Sequence, residues 1–202
     1  MVKIAIFDYG AGNLFSLNAA LERLGAQVDI VTDLNSLEKF SGLVLPGVGN
    51  FDPAMRSIRN YRKNLETAIQ NGLPMLGICL GMEMLFNRSE EGKMKGLSIL
   101  DGDVVMLPKK GKIPHMGWNN LKIVRDSKLL KGVNDNAWAY FVHSYRIRPR
   151  NSNIVVAKSD YWLAFPAVIE YKNLFGTQFH PEKSGDVGVK ILENFLNECD
   201  KN

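Results

Sequence analysis

The chain has 202 residues, 46% of them hydrophobic and 23% charged, which is enough to bury a sizeable core and leads to the expectation of one domain, 1–202. That composition excludes disorder and collagen-like repeats, and 25 Lys and Arg against 21 Asp and Glu, a formal +4, give no electrostatic reason to expect nucleic acid. The longest uncharged run, 67–82, is broken by Gln70, Asn71, Gly72 and Pro74, so neither a membrane-spanning helix nor a membrane partner is expected.

Met1-Val2-Lys3 passes straight into an apolar run, 4–7, that reads as a buried strand and lacks the features of a secretory signal; the cytoplasm is the expected compartment. After Asp8-Tyr9-Gly10-Ala11-Gly12-Asn13, Leu14, Leu17, Leu21 and Leu24 recur at helical spacing, and Gly25 stands where a C-cap is expected. Strands over 28–31 and 43–45 follow, the second stopped by Pro46-Gly47-Val48-Gly49. Asp52 can cap a helix whose first position is Pro53, and a helix around 61–70 ends at Gly72. A strand over 75–78 runs into Cys79, with a helix over 80–86 immediately behind it. Strands alternating with helices predict a parallel arrangement joined by crossovers.

Beyond Asn87 short apolar runs at 104–107, 121–124, 139–142, 154–157 and 167–169 predict hairpin and meander strands. A last strand, 174–179, leads into His180-Pro181-Glu182 and a final helix whose buried side is assigned to Val187, Val189, Ile191, Leu192, Phe195 and Leu196. The expected fold class is α/β: an open mixed, mainly parallel sheet flanked by helices, with a β-rich second half.

Cys79 lies in Gly77-Ile78-Cys79-Leu80-Gly81, a Gly-x-nucleophile-x-Gly spacing between strand and helix. A sharp turn there needs small neighbours at 77 and 81, projects the thiol from the strand end, and places it where a helix N-terminus favours thiolate. The same spacing also suits a buried structural cysteine between two packing glycines. Cys199, near the C-terminus, has no such setting; free thiols are expected, a 79–199 disulfide being the other reading. His180 and Glu182 are a base and a carboxylate that could orient it, because Pro181 favours extended backbone and residues i and i+2 then share a side. Spacing alone does not bring His180 to Cys79, and an ordinary strand end reads the same way.

The loop Pro46-Gly47-Val48-Gly49-Asn50 has the glycines to let backbone amides approach a ligand, and a plain tight turn fits equally. It does not complete a dinucleotide fingerprint or a phosphate loop. Pro114-His115-Met116-Gly117-Trp118-Asn119 and Tyr140-Phe141-Val142-His143-Ser144-Tyr145 combine aromatics with histidines, which marks either a contact surface or a β-core with satisfied histidines. With His115, His143 and His180 far apart in sequence, no metal is expected.

Together these motifs resemble the class I, triad-type glutamine amidotransferases, whose nucleophile pattern is matched by residues 74–83 and whose His-Pro-Glu motif falls on His180 and Glu182. More narrowly, the segments at 8–13, 46–49, 114–119 and 140–145 are similar to the family of glutaminase subunits of imidazole glycerol phosphate synthase, over essentially the whole chain. The resemblance implies hydrolysis of L-glutamine without a cofactor, by Cys79, His180 and Glu182 as catalytic triad. It implies an oxyanion site from Leu80 and the Gly47, Val48, Gly49 loop, and substrate contacts from Glu83, His143, Ser144 and Tyr145. It further implies a separate (β/α)8-barrel cyclase in histidine biosynthesis as partner in a heterodimer, with Asn13, His115, Trp118, Tyr140 and Lys183 toward that partner and the ammonia path. One position departs: relatives mostly carry Gln where this chain has Glu83, and a carboxylate near the thiol raises its pKa unless a neighbouring donor engages it. Other readings are an ammonia donor for sugar amidination, a glutaminase of pyridoxal phosphate synthesis, a catalytically silent cyclase-activating scaffold and a papain-like protease. The segment 114–119 does not fit the second, and the intact Cys79, His180 and Glu182 speak against the silent scaffold.

Overall fold

The computed structural model describes residues 1–10, 14–47 and 49–201. Lys3–Phe7 (β1), Leu14–Arg23 (α1), Gln27–Val31 (β2), Gly42–Leu45 (β3), Phe51–Ile58 (α2), Arg62–Gln70 (α3), Met75–Ile78 (β4) and Leu80–Glu83 (α4) form the alternating first half. The second half runs through Arg88–Ser89 (β5), Gly102–Met106 (β6), His115–Asn120 (β7), Lys122–Ile123 (β8), Trp138–His143 (β9) and Tyr145–Pro149 (β10). Val155–Asp160 (β11), Ala164–Tyr171 (β12), Leu174–Thr177 (β13) and Gly185–Cys199 (α5) complete it.

The main sheet has the order β2-β1-β3-β4-β13-β12-β11-β8. Pairs from β2 to β13 are parallel and those from β13 to β8 antiparallel, so the expected mixed, mainly parallel sheet is present. β3, β4 and β13 are buried along their whole length, as strands covered on both faces must be. On β1, Ala5 and Phe7 join the apolar cluster beneath α2 and α3, whereas Ile4 and Ile6 join the one beneath α1 and α5. The second half adds a three-stranded sheet, β10-β6-β5, and a two-stranded ribbon, β7-β9.

Several local expectations change. α2 begins at Phe51 rather than Pro53, so Asp52 lies inside its first turn, and its carboxylate instead accepts from the Lys93 and Met94 amides at 3.0 Å each. α4 ends at Glu83 instead of running to 86, the chain closing in tighter turns through Leu85 N to Met82 O and Phe86 N to Glu83 O. On α5 the buried face is Gly188, Ile191, Leu192, Asn194, Phe195, Leu196 and Cys199; Val189, at the margin of that face, is 43% exposed. Cys199 accordingly ends the helix inside the core, and both thiols are free. Among the described residues no helix is long and apolar enough to cross a membrane.

Candidate active site

β4 runs directly into α4, and the single residue between them, Cys79, takes φ 48° and ψ −110°. A non-glycine residue in that region is strained and persists only where its surroundings fix it. The Cys79 amide is held by the Thr177 carbonyl at 2.6 Å, from the neighbouring strand β13. The expected small neighbours are sterically required: a Cβ on Gly77 would lie 2.7 Å from Met82 N, and one on Gly81 would lie 2.0 Å from Leu45 O. Gly47 adds a third such position, its Cβ falling 2.5 Å from Ile78 O and 2.8 Å from Cys79 Cβ. The Leu80 N–H, first in α4, favours the Cys79 thiolate.

His180 arrives through strand order. β13 pairs with β4 in parallel, Gly176 opposite Gly77 and Thr177 opposite Ile78, so the chain leaving β13 emerges at the same sheet edge as Cys79. His180 is extended, as the residue before a proline should be, and its amide donates to Tyr140 O at 3.0 Å. Its carbonyl accepts from Ser184 Oγ at 2.7 Å, which in turn accepts from Tyr140 N at 3.0 Å. Glu182 meets His180 by a route other than extended spacing: 181–183 form one 3-10 turn that brings Glu182 Oε1 to 2.7 Å from His180 Nδ1. A carboxylate accepts only, so Nδ1 carries the hydrogen and Nε2 is left for chemistry.

Cys79, Leu80, Glu83 and His180 line one pocket of about 300 Å³. Gly47 and Gly49 form part of its wall, and His143, Ser144, Tyr145 and Lys183 also border it. Val48 and Asn13, expected at the oxyanion site and toward the partner, lie outside the described residues. Tyr9 donates its hydroxyl to Pro46 O, tying the end of β1 to the glycine loop. Of the residues expected toward the partner, Trp118 is 52% exposed with its ring edge-on to Tyr140 at 5.9 Å. His115, expected on the same side, is instead buried, stacked against Phe141 at 5.0 Å and Tyr161 at 4.1 Å.

A strained thiol, a carboxylate-bound imidazole and a glycine loop around one pocket match the family whose model, glutamine amidotransferase class I, covers residues 5–199. The chain belongs to that family. It is 49% identical to the imidazole glycerol phosphate synthase subunit HisH of Geobacillus kaustophilus, over 96% of this chain and 95% of that one. The HisH subunits of Natronomonas pharaonis and Methanocaldococcus jannaschii are 44% and 45% identical, over 98% and 96% of this chain and 95% and 98% of theirs. Among solved structures the fold matches PurLQS from Thermotoga maritima with a TM-score of 0.77 at 20% identity, covering 97% of this chain and 98% of that one.

Within this amidotransferase pocket, burial is the dominant electrostatic influence. It pushes the Cys79 thiol well up, the Glu83 charge adds to that, and the Leu80 and Gln178 N–H groups oppose it. Burial also raises Glu83 to about 7, partly offset by Gln178. The thiol therefore needs a base to be activated, and His180 shares its pocket. His143, expected to contact substrate, has both ring nitrogens engaged: Nδ1 with Tyr145 O at 2.6 Å and Nε2 with His115 Nδ1 at 3.0 Å. One group in the pocket wall and one buried behind it were missed in the sequence. Glu91 lines the pocket and accepts from Phe51 N at 3.2 Å, and Gln178 donates to both Glu83 and Cys79. Neither sits in a local pattern that marks it. Among the described residues no three metal-ligating side chains converge.

Proposed function

We propose that the chain is the glutaminase subunit of an imidazole glycerol phosphate synthase, hydrolysing L-glutamine to glutamate and ammonia and passing the ammonia to a (β/α)8-barrel cyclase subunit in histidine biosynthesis. The observation that carries this reading is the convergence of Cys79 and His180, the latter with Nδ1 on Glu182, at one pocket. The Cys79 thiol gives its proton to His180 Nε2, and the sulfur attacks the side-chain amide carbon of glutamine. Oxygen charge in the tetrahedral intermediate is met by the Leu80 N–H and by an amide of the 47–49 loop. His180 then protonates the departing nitrogen, releasing neutral ammonia and a glutamyl thioester. Water, deprotonated by the same imidazole, hydrolyses that thioester. Glu182 holds the imidazole in the tautomer these steps need and stabilises its charged form.

Glu91 supplies a negative group in the pocket wall suited to the substrate's α-ammonium, and Ser144 and Tyr145 lie on the same wall. The partner docks on the outer side of the β7-β9 ribbon, where Met116, Trp118 and Trp138 are more than half exposed and Tyr140 stands beside Trp118. Exposed Lys183 borders the pocket and belongs to the same route. The heterodimer works in the cytoplasm. Cys79→Ala, assayed with the cyclase subunit and its substrate, tests the reading: glutamine-dependent synthesis is lost while synthesis from ammonium salt remains. Glutamine hydrolysis persisting in that variant overturns it.

A further inference from the structure

Tyr145 O is an acceptor only, so His143 Nδ1, 2.6 Å from it, carries a hydrogen. In a neutral imidazole the other nitrogen is then bare, and His143 Nε2 must accept from the atom 3.0 Å away, His115 Nδ1. His115 Nε2 is bare in turn and accepts from Asn119 Nδ2 at 3.3 Å, whose second hydrogen goes to Asp160 O at 2.8 Å. Asn119 Oδ1 accepts from the Asn120 amide at 2.8 Å, which fixes the orientation of the carboxamide. The four groups of this relay admit one consistent direction of donation, from Asn119 to the Tyr145 carbonyl. A proton added to either ring would set two N–H groups against each other, and burial holds His115 at about 4 and His143 at about 3, neutral throughout the working range.

The bond to Tyr145 spans a bend with a job. Between His143 and Tyr145 the chain leaves ribbon strand β9 and enters β10 of a different sheet. Just before the bend Val142 O lies 3.9 Å from Cys79 Sγ, and within it Ser144 O accepts from Leu107 N at 2.9 Å. Ser144 and Tyr145 border the pocket only because the bend turns as it does. His115 is buried between two rings, so its Nδ1–H is a donor that cannot swing away.

We propose that His115 is a positioning residue for the glutamine-binding segment 143–145, acting by fixing the tautomer and orientation of His143. The inference rests on the glutaminase reading above. Without the His115 donor, His143 Nε2 is a buried acceptor with nothing to accept, and the ring can take the Nε2–H tautomer. That tautomer sets the Nδ1 lone pair against the Tyr145 carbonyl and opens the bend. The disturbance falls on substrate binding and leaves the triad in place.

Two substitutions separate this from a packing role. His115→Phe keeps the ring stacked between Phe141 and Tyr161 but has no donor. His115→Asn loses the stacking but keeps an N–H where Nδ1 sits. With the cyclase subunit and its ligand present, His115→Phe is expected to raise KM for glutamine about tenfold with kcat within about twofold of wild type. His115→Asn, though the less stable of the two, is expected to restore most of the affinity. A packing role gives the reverse order, and a wild-type KM in His115→Phe, or a higher KM in His115→Asn than in His115→Phe, overturns the proposal. Nitrogen-15 NMR of the unmodified chain, which has three histidines, decides it independently of any variant's folding. Nδ1–H tautomers are expected at both His115 and His143 at neutral pH, and an Nε2–H tautomer or an imidazolium at either refutes it. Wild-type enzyme without glutaminase activity would count against the function itself, a distinct result.

Discussion

Gln178 presents one amide nitrogen to two acids, lying 3.0 Å from Glu83 Oε1 and 3.6 Å from Cys79 Sγ. Both partners are negative when deprotonated, both are buried, and the charge on Glu83 disfavours the thiolate. Glutamine at position 83 keeps hydrogen-bonding capacity and removes that charge. In Glu83→Gln the midpoint for alkylation of Cys79 by iodoacetamide is therefore expected at lower pH than in the wild type. An unchanged or higher midpoint contradicts the coupling.

The same carboxyl leaves a mark on stability. Glu83 titrates at about 7 in the folded chain against 4.5 as an ordinary glutamate. Between those values the folded state binds more protons than the unfolded one, so this group's contribution falls as pH rises, by at most about 3 kcal/mol. Urea unfolding at pH 5 and pH 8 should show the wild type losing stability relative to Glu83→Gln. Parallel curves for the two proteins would mean that Glu83 is ionised throughout.

Glu182→Gln keeps an oxygen within reach of His180 Nδ1 and removes the charge that stabilises the imidazolium. Glutamine-dependent turnover is expected to fall by about a hundredfold or more, while turnover from ammonium salt in the complex is unchanged. Equal losses with both nitrogen sources would place Glu182 outside the glutaminase chemistry.

The glycines at the elbow are structural demands. Gly81→Ala would drive a Cβ to 2.0 Å from the Leu45 carbonyl, which β3 holds in place, and should cost about 3 kcal/mol or more in urea unfolding. Val189→Ala, on the exposed side of α5, should stay within about 0.5 kcal/mol.

Trp118→Ala should weaken cyclase binding by about tenfold or more in titration calorimetry, as truncation of an exposed aromatic anchor does, without moving the unfolding midpoint of the isolated chain. Loss of stability without loss of affinity would mean that the ribbon face is not the docking surface.

β4 was legible in the sequence to the residue, because Pro74 and the elbow bound a short apolar run and no helix fits between them. The elbow at Cys79 was legible for a steric reason, since Gly77 and Gly81 stand where any Cβ collides. Its meeting with His180 was not, because it depends on the long-range pairing of β13 with β4. Gln178 and Glu91 escaped notice for the same cause: nothing near them in the chain shows that Glu91 lines a pocket built by other elements or that Gln178 lies buried against Cys79 and Glu83. The histidines fall between these cases. Their segments stood out by composition, but only the ribbon register, with His115 opposite His143, makes them a pair and turns His115 inward. Val189 was misassigned because it shares helical spacing with the buried Leu192 and Leu196 yet lies at the margin of the buried face, where periodicity alone does not decide exposure.

The position of β13 beside β4 has a consequence for the chain while it is being made. Cys79 leaves the ribosome well before Thr177, whose carbonyl holds its amide, and before His180, the base proposed for it. A polypeptide broken off before residue 174 lacks that whole strand, and with it the clamp on the elbow and the imidazole proposed to take the thiol proton. On the glutaminase reading, translation products abandoned before residue 174 are thus inert toward glutamine.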